Sequence, residues 1–471
     1  MRRTKIVCTI GPASDSEEML GKLMDAGMNV ARLNFSHGTH EQHHTVIGRI
    51  RKVATERDNP IAILQDLAGP KIRIRDFKEG SINLTPGETF TLTTEDLAGD
   101  KSRVSVTYSK LPQEVKADDV ILLADGSIQL QVTKIDSSNI VCEVVIGGEL
   151  SSKKGINLPG SSLSVEALTD KDRVDLEFGL EQNVDYVAMS FVRRQEDIQQ
   201  ITKVMRENKK PVPIIAKIEK HEAIENIDGI LEVVDGIMVA RGDLAVETPL
   251  ETVPLAQKML IRKCNQAGKP VITATQMLKS MVDNPRPTRA EANDVANAVI
   301  DGTDAVMLSE ETTIGEFPVE TVETMTKIIE VTESSEQVEH QRFRHDYTES
   351  TSIAHAVSHA AYEMAKDLKA AAILTPTQSG STTRMVSSYR PDQVIIALCP
   401  NETVVRRLNL IWGVYPFLAD GYLTVEEMIE QAKDKALTSG LVNFNDVLVI
   451  TAGVPIGIAG TTNLIKAEIL K

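Results

Sequence analysis

Eight short apolar segments, separated by stretches long enough for a helix, restrict the fold of this chain more than any other feature. Each segment has the length of a buried strand. The segments are residues 5–10, 29–35, 61–67, 186–191, 213–218, 236–240, 271–274 and 304–308. Strands that alternate with helices form a parallel sheet, and eight such units close into a (β/α)8 barrel. The sequence therefore predicts a TIM barrel, an α/β fold.

Capping signals mark the starts of two of the intervening helices. Ser14 with Glu17, and Thr288 with Glu291, have the spacing of a capping box, and Pro287 precedes the second box. We therefore expect a helix to begin directly after each of these two hydroxyl residues.

Residues 70–167 interrupt the barrel pattern with short strands and turns. Residues 128–132 alternate apolar with polar side chains, and the pairs Asp125-Gly126 and Gly147-Gly148 predict hairpin turns. An all-β insertion that leaves the carboxyl end of the third strand would hang over the mouth of the barrel. We interpret it as an inserted β-barrel lid domain.

Three domains follow from these patterns. The barrel would comprise residues 1–69 and 168–345, the lid residues 70–167, and a C-terminal domain residues 346–471. The last domain contains three further apolar segments separated by helical ones, at residues 371–375, 394–399 and 447–451. This alternation predicts a second, open α/β sheet.

Charge and cysteine content restrict the partners of the chain. Lys and Arg number 51 and Asp and Glu 67, for a formal net charge of −16, which disfavours non-specific binding to nucleic acid or to an anionic membrane. The four cysteines show no CxxC spacing, so neither a zinc site nor a disulfide framework is indicated. No segment approaches the roughly 20 apolar residues of a membrane helix. We expect a soluble, cytoplasmic protein.

Charged residues stand where two neighbouring barrel strands end. Lys217 and Glu219 close one apolar segment, and Asp243 follows the next. Charged side chains are unfavourable within a buried strand, so we expect them where the strand ends. Barrel enzymes carry their chemistry at the carboxyl ends of the strands. Two carboxylates beside an ammonium predict an Mg²⁺ site for a phosphate or an enolate, and the amides of Gly242 and Asp243 would bind a carboxylate. The alternative is a buried Lys–Glu ion pair that only holds two strands together.

Further polar residues follow other strands at the same predicted rim. Arg32 and Arg73 have the chemistry of phosphate clamps, with surface ion pairs as the alternative. Thr275 and Ser309 offer hydroxyls that donate hydrogen bonds or relay a proton, or that only bond their own backbone.

Five longer motifs resemble those of the pyruvate kinase family. They are Asn-Val-Ala-Arg-Leu-Asn-Phe-Ser-His-Gly at 29–38, Lys-Gly-Ile-Asn-Leu-Pro-Gly at 154–160, Met-Val-Ala-Arg-Gly-Asp-Leu at 238–244, Ile-Thr-Ala-Thr-Gln-Met-Leu at 272–278 and Asn-Pro-Arg-Pro-Thr-Arg-Ala-Glu at 284–291. The resemblance runs essentially from end to end. It implies phosphoryl transfer from phosphoenolpyruvate to ADP, then protonation of the enolate to pyruvate, as the final step of glycolysis.

The resemblance also implies roles for the rim residues and a homotetrameric assembly. Glu219 and Asp243 would hold Mg²⁺, or Mn²⁺ in its place. Catalysis would rest on Arg32, Lys217, Thr275, Ser309 and Glu311. Phosphoenolpyruvate would be bound by Arg32, Lys217, Gly242, Asp243 and Thr275, and ADP by Arg73 and Lys154.

The third strand departs from the pattern of relatives that need K⁺. Those relatives read Asp-Thr-Lys-Gly-Pro-Glu-Ile-Arg, whereas this chain has Lys71 in place of the glutamate. The family's K⁺ site would comprise Asn34, Ser36, Asp66 and Leu67. A fixed ammonium replaces a monovalent cation and repels one, so we expect that K⁺ is not required, as in the potassium-independent branch. The alternative is that Lys71 points to solvent and K⁺ still binds.

Two other positions differ from the family pattern near the predicted chemistry. Ala245 replaces a glycine, which costs energy only if this position needs a positive φ. Glu310 replaces a small residue, and it would raise the pKa of one carboxyl if Glu310 and Glu311 both pointed inward.

The C-terminal domain contains a hydroxyl-rich loop that follows a strand and opens a helix, the geometry of a phosphate nest. The residues of this predicted effector loop are Thr377, Ser379, Gly380, Ser381 and Thr382. Many relatives carry a basic residue where Ser381 stands. A monophosphorylated effector such as AMP or ribose 5-phosphate, or no effector, therefore fits as well as a sugar bisphosphate. The alternative is an ordinary capped helix. We also expect that the extra C-terminal domain of some bacterial relatives is absent.

Two other classes of function stay open at this point. One is a barrel aldolase or lyase that uses Mg²⁺ and an arginine on pyruvate-like enolates, although the lid and Arg73 favour a kinase. The other is a non-catalytic homologue that binds metabolites, against which Lys217, Glu219 and Asp243 argue.

Overall fold

The first three strands and two helices follow the predicted alternation. The computed structural model describes residues 2–161, 164–335, 352–455 and 460–471. The first elements are β1 (Lys5–Thr9), α1 (Glu17–Ala26), β2 (Val30–Asn34), α2 (His40–Glu56) and β3 (Ala62–Asp66). The strands are buried along their length, apart from the last residue of β2.

The two predicted helix caps have different outcomes. Ser16, not Ser14, caps α1, because its Oγ accepts a hydrogen bond from the Met19 amide at 3.2 Å. The Ser14 hydroxyl instead accepts from the Gly11 amide at 3.1 Å, so the capping box predicted there is wrong. The box at Thr288 is confirmed.

The inserted segment is all-β apart from one short helix. Its elements are β4 (Ser81–Leu84), β5 (Thr89–Thr93), β6 (Arg103–Ser105), α3 (Leu111–Glu114), β7 (Val120–Leu123), β8 (Ile128–Asp136), β9 (Asn139–Ile146), β10 (Gly148–Ser151) and β11 (Ile156–Asn157). Six strands form one sheet in the order β11-β7-β8-β9-β5-β6, and β4 pairs with β10. Isolated bridges from Arg73 to Gly155 and from Ile74 to Val106 link the two edges of the larger sheet. The sheet therefore curls around one apolar core.

Only one of the two predicted glycine turns is a hairpin turn. Asp125-Gly126 joins the antiparallel strands β7 and β8, as predicted. Gly147-Gly148 does not join paired strands, because β10 pairs with β4, with Gly148 opposite Leu84. A side chain at residue 147 would collide with the Leu84 carbonyl oxygen, so the glycine there permits a close approach of two backbones.

The barrel resumes after the insertion with five further strands. The elements are α4 (Asp170–Glu181), β12 (Tyr186–Met189), α5 (Gln195–Glu207), β13 (Ile214–Ile218), α6 (His221–Glu225), α7 (Ile227–Val233), β14 (Gly236–Ala240), α8 (Arg241–Glu247), α9 (Val253–Gln266), β15 (Val271–Ala274), α10 (Arg289–Ile300), β16 (Ala305–Leu308), α11 (Glu310–Thr313) and α12 (Pro318–Glu333). Short 3-10 turns lie at Leu250–Thr252 and Lys279–Val282.

Eight parallel strands close in the order β1-β16-β15-β14-β13-β12-β3-β2, which confirms the predicted barrel. Apolar side chains fill the interior of the barrel, and a larger apolar cluster lies between the strands and the helices. Leu410 of the C-terminal domain belongs to the interior cluster, and the adjacent Asn409 bonds the Pro60 carbonyl. The C-terminal domain therefore contacts the amino-terminal end of the barrel, opposite the rim predicted to carry the chemistry.

The C-terminal domain has the predicted open α/β sheet. Its elements are α13 (Ile353–Asp367), β17 (Ala372–Pro376), α14 (Ser381–Ser388), β18 (Val394–Cys399), α15 (Glu402–Leu408), β19 (Val414–Leu418), α16 (Val425–Thr438), β20 (Val447–Gly453) and β21 (Thr462–Ile469). The strand order is β19-β18-β17-β20-β21, and β21 is antiparallel to β20. The sequence analysis did not assign β19 and β21. Both edge strands are partly exposed; β19 contains a proline, which is unusual within a strand, and polar residues interrupt β21.

The domain boundaries at 69/70 and 167/168 stay predictions, and the boundary at 345/346 lies outside the described residues. Within the described parts of the chain, no helix has the length and apolar character needed to cross a membrane.

Candidate active site

Lys217, at the carboxyl end of β13, is the centre of a buried charge cluster. Its Nζ lies 3.0 Å from Glu219 Oε1 and 3.3 Å from Asp66 Oδ1, and it donates to Ser190 Oγ at 2.7 Å. Burial disfavours the ammonium, but the carboxylates of Asp66 and Glu219 outweigh burial and raise the pKa of Lys217. Because Lys217 and Glu219 belong to one chain segment, their ion pair does not hold two strands together.

Arg32, near the end of β2, is oriented by two polar side chains. Its Nε donates to Asp66 Oδ2 at 2.7 Å, and its Nη1 donates to Thr9 Oγ1 at 3.0 Å. The residue is 8% exposed, so the surface ion pair considered above is wrong for Arg32. Burial opposes the ionisation of Asp66, yet Lys217 and Arg32 together lower the pKa of its carboxyl. Asp66 therefore fixes both cations.

The carboxylates of Glu219 and Asp243 interact electrostatically across the rim. Asp243 lies in the first turn of α8, directly after β14, and β14 pairs with β13. Burial raises the pKa of Glu219, Lys217 opposes this rise, and the negative charge of Asp243 adds to it. A divalent cation between the two carboxylates would relieve their repulsion. Mg²⁺ takes one or two protein carboxylates and leaves its other positions to water and phosphate, so the chemistry of these two residues fits the predicted metal.

Lys71 connects the lid to this pair of carboxylates. Its Nζ lies 3.0 Å from Asp243 Oδ1 and 3.6 Å from Asp125 Oδ1, in the turn between β7 and β8. The side chain is 23% exposed and pairs with carboxylates, so Lys71 does not point to solvent. Burial opposes the ammonium, but Asp243 raises the pKa of Lys71.

The residues of the family's K⁺ site gather at the ends of β2 and β3. Asn34 Oδ1 accepts a hydrogen bond from the Ser36 amide at 3.1 Å. The Leu67 carbonyl accepts one from the Ser190 hydroxyl at 2.8 Å. Asp66 is engaged by two cations. Among the contacts of the described residues, those of Lys71 are with Asp243 and Asp125 and not with this set.

A strained turn follows β15. Thr275 and Gln276 are consecutive non-glycine residues at φ +71° and +56°, a region that costs energy for L side chains. Arg241 holds this turn, because its Nη2 donates to the Thr275 carbonyl at 2.7 Å and its Nε to the Ala274 carbonyl at 3.2 Å. Its Nη1 pairs with Asp294 at 2.7 Å. Sequence reasoning assigned no role to Arg241, although a charged residue directly after a buried strand was a usable signal.

The Gly242 amide faces the Thr275 hydroxyl. The amide donates to Thr275 Oγ1 at 2.8 Å, and that hydroxyl donates to its neighbouring carbonyl at 2.6 Å. Both groups are therefore gathered beside Asp243. Ala245 lies inside α8 and has no positive φ, so its methyl group causes no backbone strain.

Glu311 follows β16 and is buried, and each of its two carboxylate oxygens accepts a hydrogen bond. It accepts hydrogen bonds from the Ser309 amide at 2.7 Å and from the Leu278 amide at 3.2 Å. Glu310 turns outward, contacts Lys279 and is 55% exposed. The two carboxylates do not both point inward, so the condition for their mutual repulsion is not met.

The two predicted nucleotide-binding residues lie at the junction between barrel and lid. Arg73 forms a bridge with Gly155, and its Nη1 donates to the Lys153 carbonyl at 3.1 Å. The Lys154 carbonyl accepts from the Ile74 amide at 2.9 Å, and the Lys154 side chain is exposed. Both cations therefore belong to paired segments that lead into and out of the lid.

The predicted effector loop is partly internal. Gly380 has φ +82°, and its amide donates to Thr377 Oγ1 at 2.9 Å. The Ser379 hydroxyl donates to Ser381 Oγ at 3.3 Å. Thr382 is buried, and its hydroxyl forms a hydrogen bond with that of Thr462 in β21. The hydroxyls at the surface of this loop are therefore those of Ser379 and Ser381.

Comparisons with known proteins agree with this geometry. The family profile "Pyruvate kinase, barrel domain" matches residues 1–322, and "Pyruvate kinase, alpha/beta domain" matches residues 355–467. A pyruvate kinase of Geobacillus stearothermophilus is 50% identical over 474 residues, which cover 100% of this chain and 80% of that protein. One from Staphylococcus epidermidis is 48% identical, covering 100% and 81%. The crystal structure of a pyruvate kinase from Cryptosporidium parvum matches with a TM-score of 0.93 at 39% identity, covering 100% of this chain and 96% of that chain. The chain belongs to the pyruvate kinase family.

Proposed function

We propose that the rim cluster around Lys217 is where this protein carries out the reaction of its family. That reaction transfers the phosphoryl group of phosphoenolpyruvate to ADP. An oxygen of the ADP β-phosphate attacks phosphorus, the bond from phosphorus to the enol oxygen breaks, and the resulting enolate takes a proton at C3. The observation that supports the site is a buried, charged Lys217 held between Asp66 and Glu219.

Lys217 and Arg32 would stabilise the charge of the phosphoryl group during transfer. Both cations are oriented by Asp66 before a substrate arrives, so little reorganisation is needed when charge develops. Phosphoryl transfer depends mostly on positioning and charge stabilisation. When bound by Glu219 and Asp243, Mg²⁺ would neutralise charge on the substrate oxygens.

The opposite side of the rim would seat the carboxylate of phosphoenolpyruvate. The Gly242 and Asp243 amides and the Thr275 hydroxyl would donate there, once the substrate carboxylate replaces the acceptors that Gly242 and Thr275 now have in Thr275 Oγ1 and the Ala274 carbonyl. Ser309 would stand at the end of the route that delivers the proton to C3. Glu311 would position it through the Ser309 amide.

ADP would approach from the lid side, where Arg73 and Lys154 would pair with its phosphates. The lid would then close over the rim and exclude water. We further propose a homotetramer in the cytoplasm and a phosphorylated effector at the loop that contains Ser379 and Ser381.

Replacing Lys217 with methionine tests the site. We expect coupled ATP formation to fall by at least about a thousandfold, because a buried charge beside the reacting phosphate is lost. Binding of Mn²⁺, titrated by its paramagnetic resonance, should stay nearly intact. Lys203→Met, at an exposed position of α5, is the matched control. Turnover near that of the control would remove the role of Lys217.

We also propose that Lys71 makes the enzyme independent of K⁺. The support is that the Lys71 ammonium pairs with Asp243 at 3.0 Å and does not point to solvent, whereas K⁺-requiring relatives have a glutamate at this position. The unaltered enzyme should show the same rate in Na⁺ and in K⁺, whereas Lys71→Glu should be slow in Na⁺ and recover in K⁺. A large rate increase of the unaltered enzyme in K⁺ would contradict the proposal.

The other two classes of function are set aside on separate grounds. Family membership excludes a barrel aldolase or lyase. A non-catalytic homologue is disfavoured because the site of Lys217, Glu219 and Asp243 is assembled and neither Ala245 nor Glu310 disturbs it.

A further inference from the structure

An open cleft lies between the amino-terminal end of the barrel and the C-terminal domain. On the barrel side, Lys269 and Asp304 line it, close to the starts of β15 and β16. On the other side, Arg384, Ser387 and Arg390 line it, from α14 and the residues just after it. It is separate from the rim, which is formed by the opposite ends of the same strands.

Two cations of this cleft have only carbonyl partners. Lys269 Nζ donates to the Val234 carbonyl at 2.7 Å, and Arg384 Nη1 donates to the Ser379 carbonyl at 3.3 Å. Among the described residues, neither forms a salt bridge with a carboxylate. Burial lowers the pKa of Lys269; nearby acidic groups, Asp235 first, oppose this, and the charge of Arg384 adds to the lowering. The two cations therefore repel one another without a shared counter-ion.

Arg390 supplies a third cation and a donor without an acceptor. It is 6% exposed, and its Nη1 and Nη2 each lie 3.0 Å from an oxygen of Asp304. Its guanidinium carbon lies 5.0 Å from the centroid of the Trp412 ring. Within the described residues, its Nε has no hydrogen-bond partner. A buried donor of this kind is unfavourable unless another group accepts from it.

The lining of the cleft therefore carries three positive charges against the single carboxylate of Asp304, in a chain whose formal net charge is −16. We propose that the cleft binds a small oxyanion, a phosphate as the free ion or as the terminal group of a phosphomonoester, held between Lys269 of the barrel and Arg384 and Arg390 of the C-terminal domain. Guanidinium and ammonium groups recognise phosphate in this way. Such an anion would tie the two domains together.

The site differs from the predicted effector loop. That loop ends at Thr382, in the first turn of α14, whereas Arg384 and Ser387 line the cleft from the following turns and Arg390 lies beyond the helix. Lys269 belongs to the barrel, so a change there alters the cleft and leaves the loop as it is.

Titration of the full chain with phosphate tests the proposal. Binding is measured by calorimetry and by the phosphate-dependent rise in Tm at constant ionic strength. Phosphate binding at the rim is common to all variants. Lys269→Gln also leaves the effector loop as it is, so the difference between this variant and the unaltered protein reports the cleft, whereas Arg384 contacts the Ser379 carbonyl of that loop. We expect Lys269→Gln to weaken this binding event about tenfold and Lys269→Gln with Arg384→Gln about a hundredfold, because each removes one charge-assisted contact.

The controls keep the test specific. Lys263→Gln removes a charge from α9 whose partner is the exposed Asp228, and it should bind phosphate as the unaltered protein does. The charge-conserving Lys269→Arg should retain binding, and kcat should be unchanged in every variant. Inorganic phosphate and glycerol phosphate are compared. The compound that binds more tightly shows whether the cleft takes the free ion or the terminal group of a phosphomonoester. Either result supports the site. Unchanged phosphate binding in Lys269→Gln, or equal loss in Lys263→Gln, would overturn it.

Discussion

Replacing Arg241 with glutamine tests whether the strained turn after β15 is held in place for catalysis. In the structure, this guanidinium donates to the carbonyls of Ala274 and Thr275 and pairs with Asp294. Its side chain is 13% exposed. Glutamine is shorter and uncharged, so it reaches neither carbonyl with the same geometry, while Thr275 and Gln276 keep their unfavourable φ values.

The magnitude follows from the contacts that are lost. Two hydrogen bonds from a charged donor contribute about 1.5–3 kcal/mol each, and partial access of water reduces the net effect to about 2–4 kcal/mol for the conformation of the turn. The Thr275 hydroxyl is placed by this turn. If the whole effect is expressed in the transition state, kcat/KM falls by roughly 30- to 1000-fold, at 1.36 kcal/mol per factor of ten.

The assay is coupled ATP formation, with kcat and KM for phosphoenolpyruvate measured separately. We expect KM to rise and kcat to fall, because Thr275 would seat the substrate carboxylate, and we expect Arg241→Lys to recover part of the activity. Arg262→Gln, at an exposed position of α9, is the matched control. A kcat/KM for Arg241→Gln within twofold of this control, with an unchanged Tm, would refute the reasoning.

Three further predictions concern stability. Burial lowers the pKa of Lys5 to about 7 from 10.5. The folded chain therefore releases this proton at lower pH than the unfolded chain, and the free energy of unfolding should rise between about pH 7 and 10 by up to 1.4 kcal/mol per pH unit. Lys5→Met should lack this rise in urea unfolding at pH 7 and 9. Ala245→Gly should lower the free energy of unfolding by about 0.5–1 kcal/mol at unchanged kcat. A gain in stability there would contradict the helical assignment of Ala245. Glu310→Ala should change the free energy of unfolding by less than about 1 kcal/mol and leave kcat unchanged, since its pairing with Lys279 is exposed. A tenfold loss of activity would show an inward role.

The predictable part of the site consists of residues at strand ends. Lys217, Glu219 and Asp243 were indicated because charge directly follows a buried apolar run, and the parallel pairing of β13 with β14 brings those ends together. The contacts that these side chains make with other strands gave no such signal. Ser190 contacts Lys217 across 27 positions, and Arg241 reaches the Thr275 turn across 34.

Errors arose where a local pattern had two physical solutions. Ser14 and Ser16 both precede an acidic helix start, and only the direction of the chain after Gly11 decides which hydroxyl meets the free amides. Gly147-Gly148 has the composition of a hairpin turn, but the pairing of β10 with β4 leads the strand away from β9.

The amino-acid sequence alone determined the alternation of strands and helices, the count of eight and the polar residues at the strand ends, because periodicity and burial are local properties of a chain. The tertiary structure alone decided that Lys71 meets Asp243, that Glu310 turns outward and that Lys269, Arg384 and Arg390 share one cleft. These contacts join residues up to 172 positions apart. Their geometry depends on how the barrel, the lid and the C-terminal domain are packed, which no short stretch of sequence encodes.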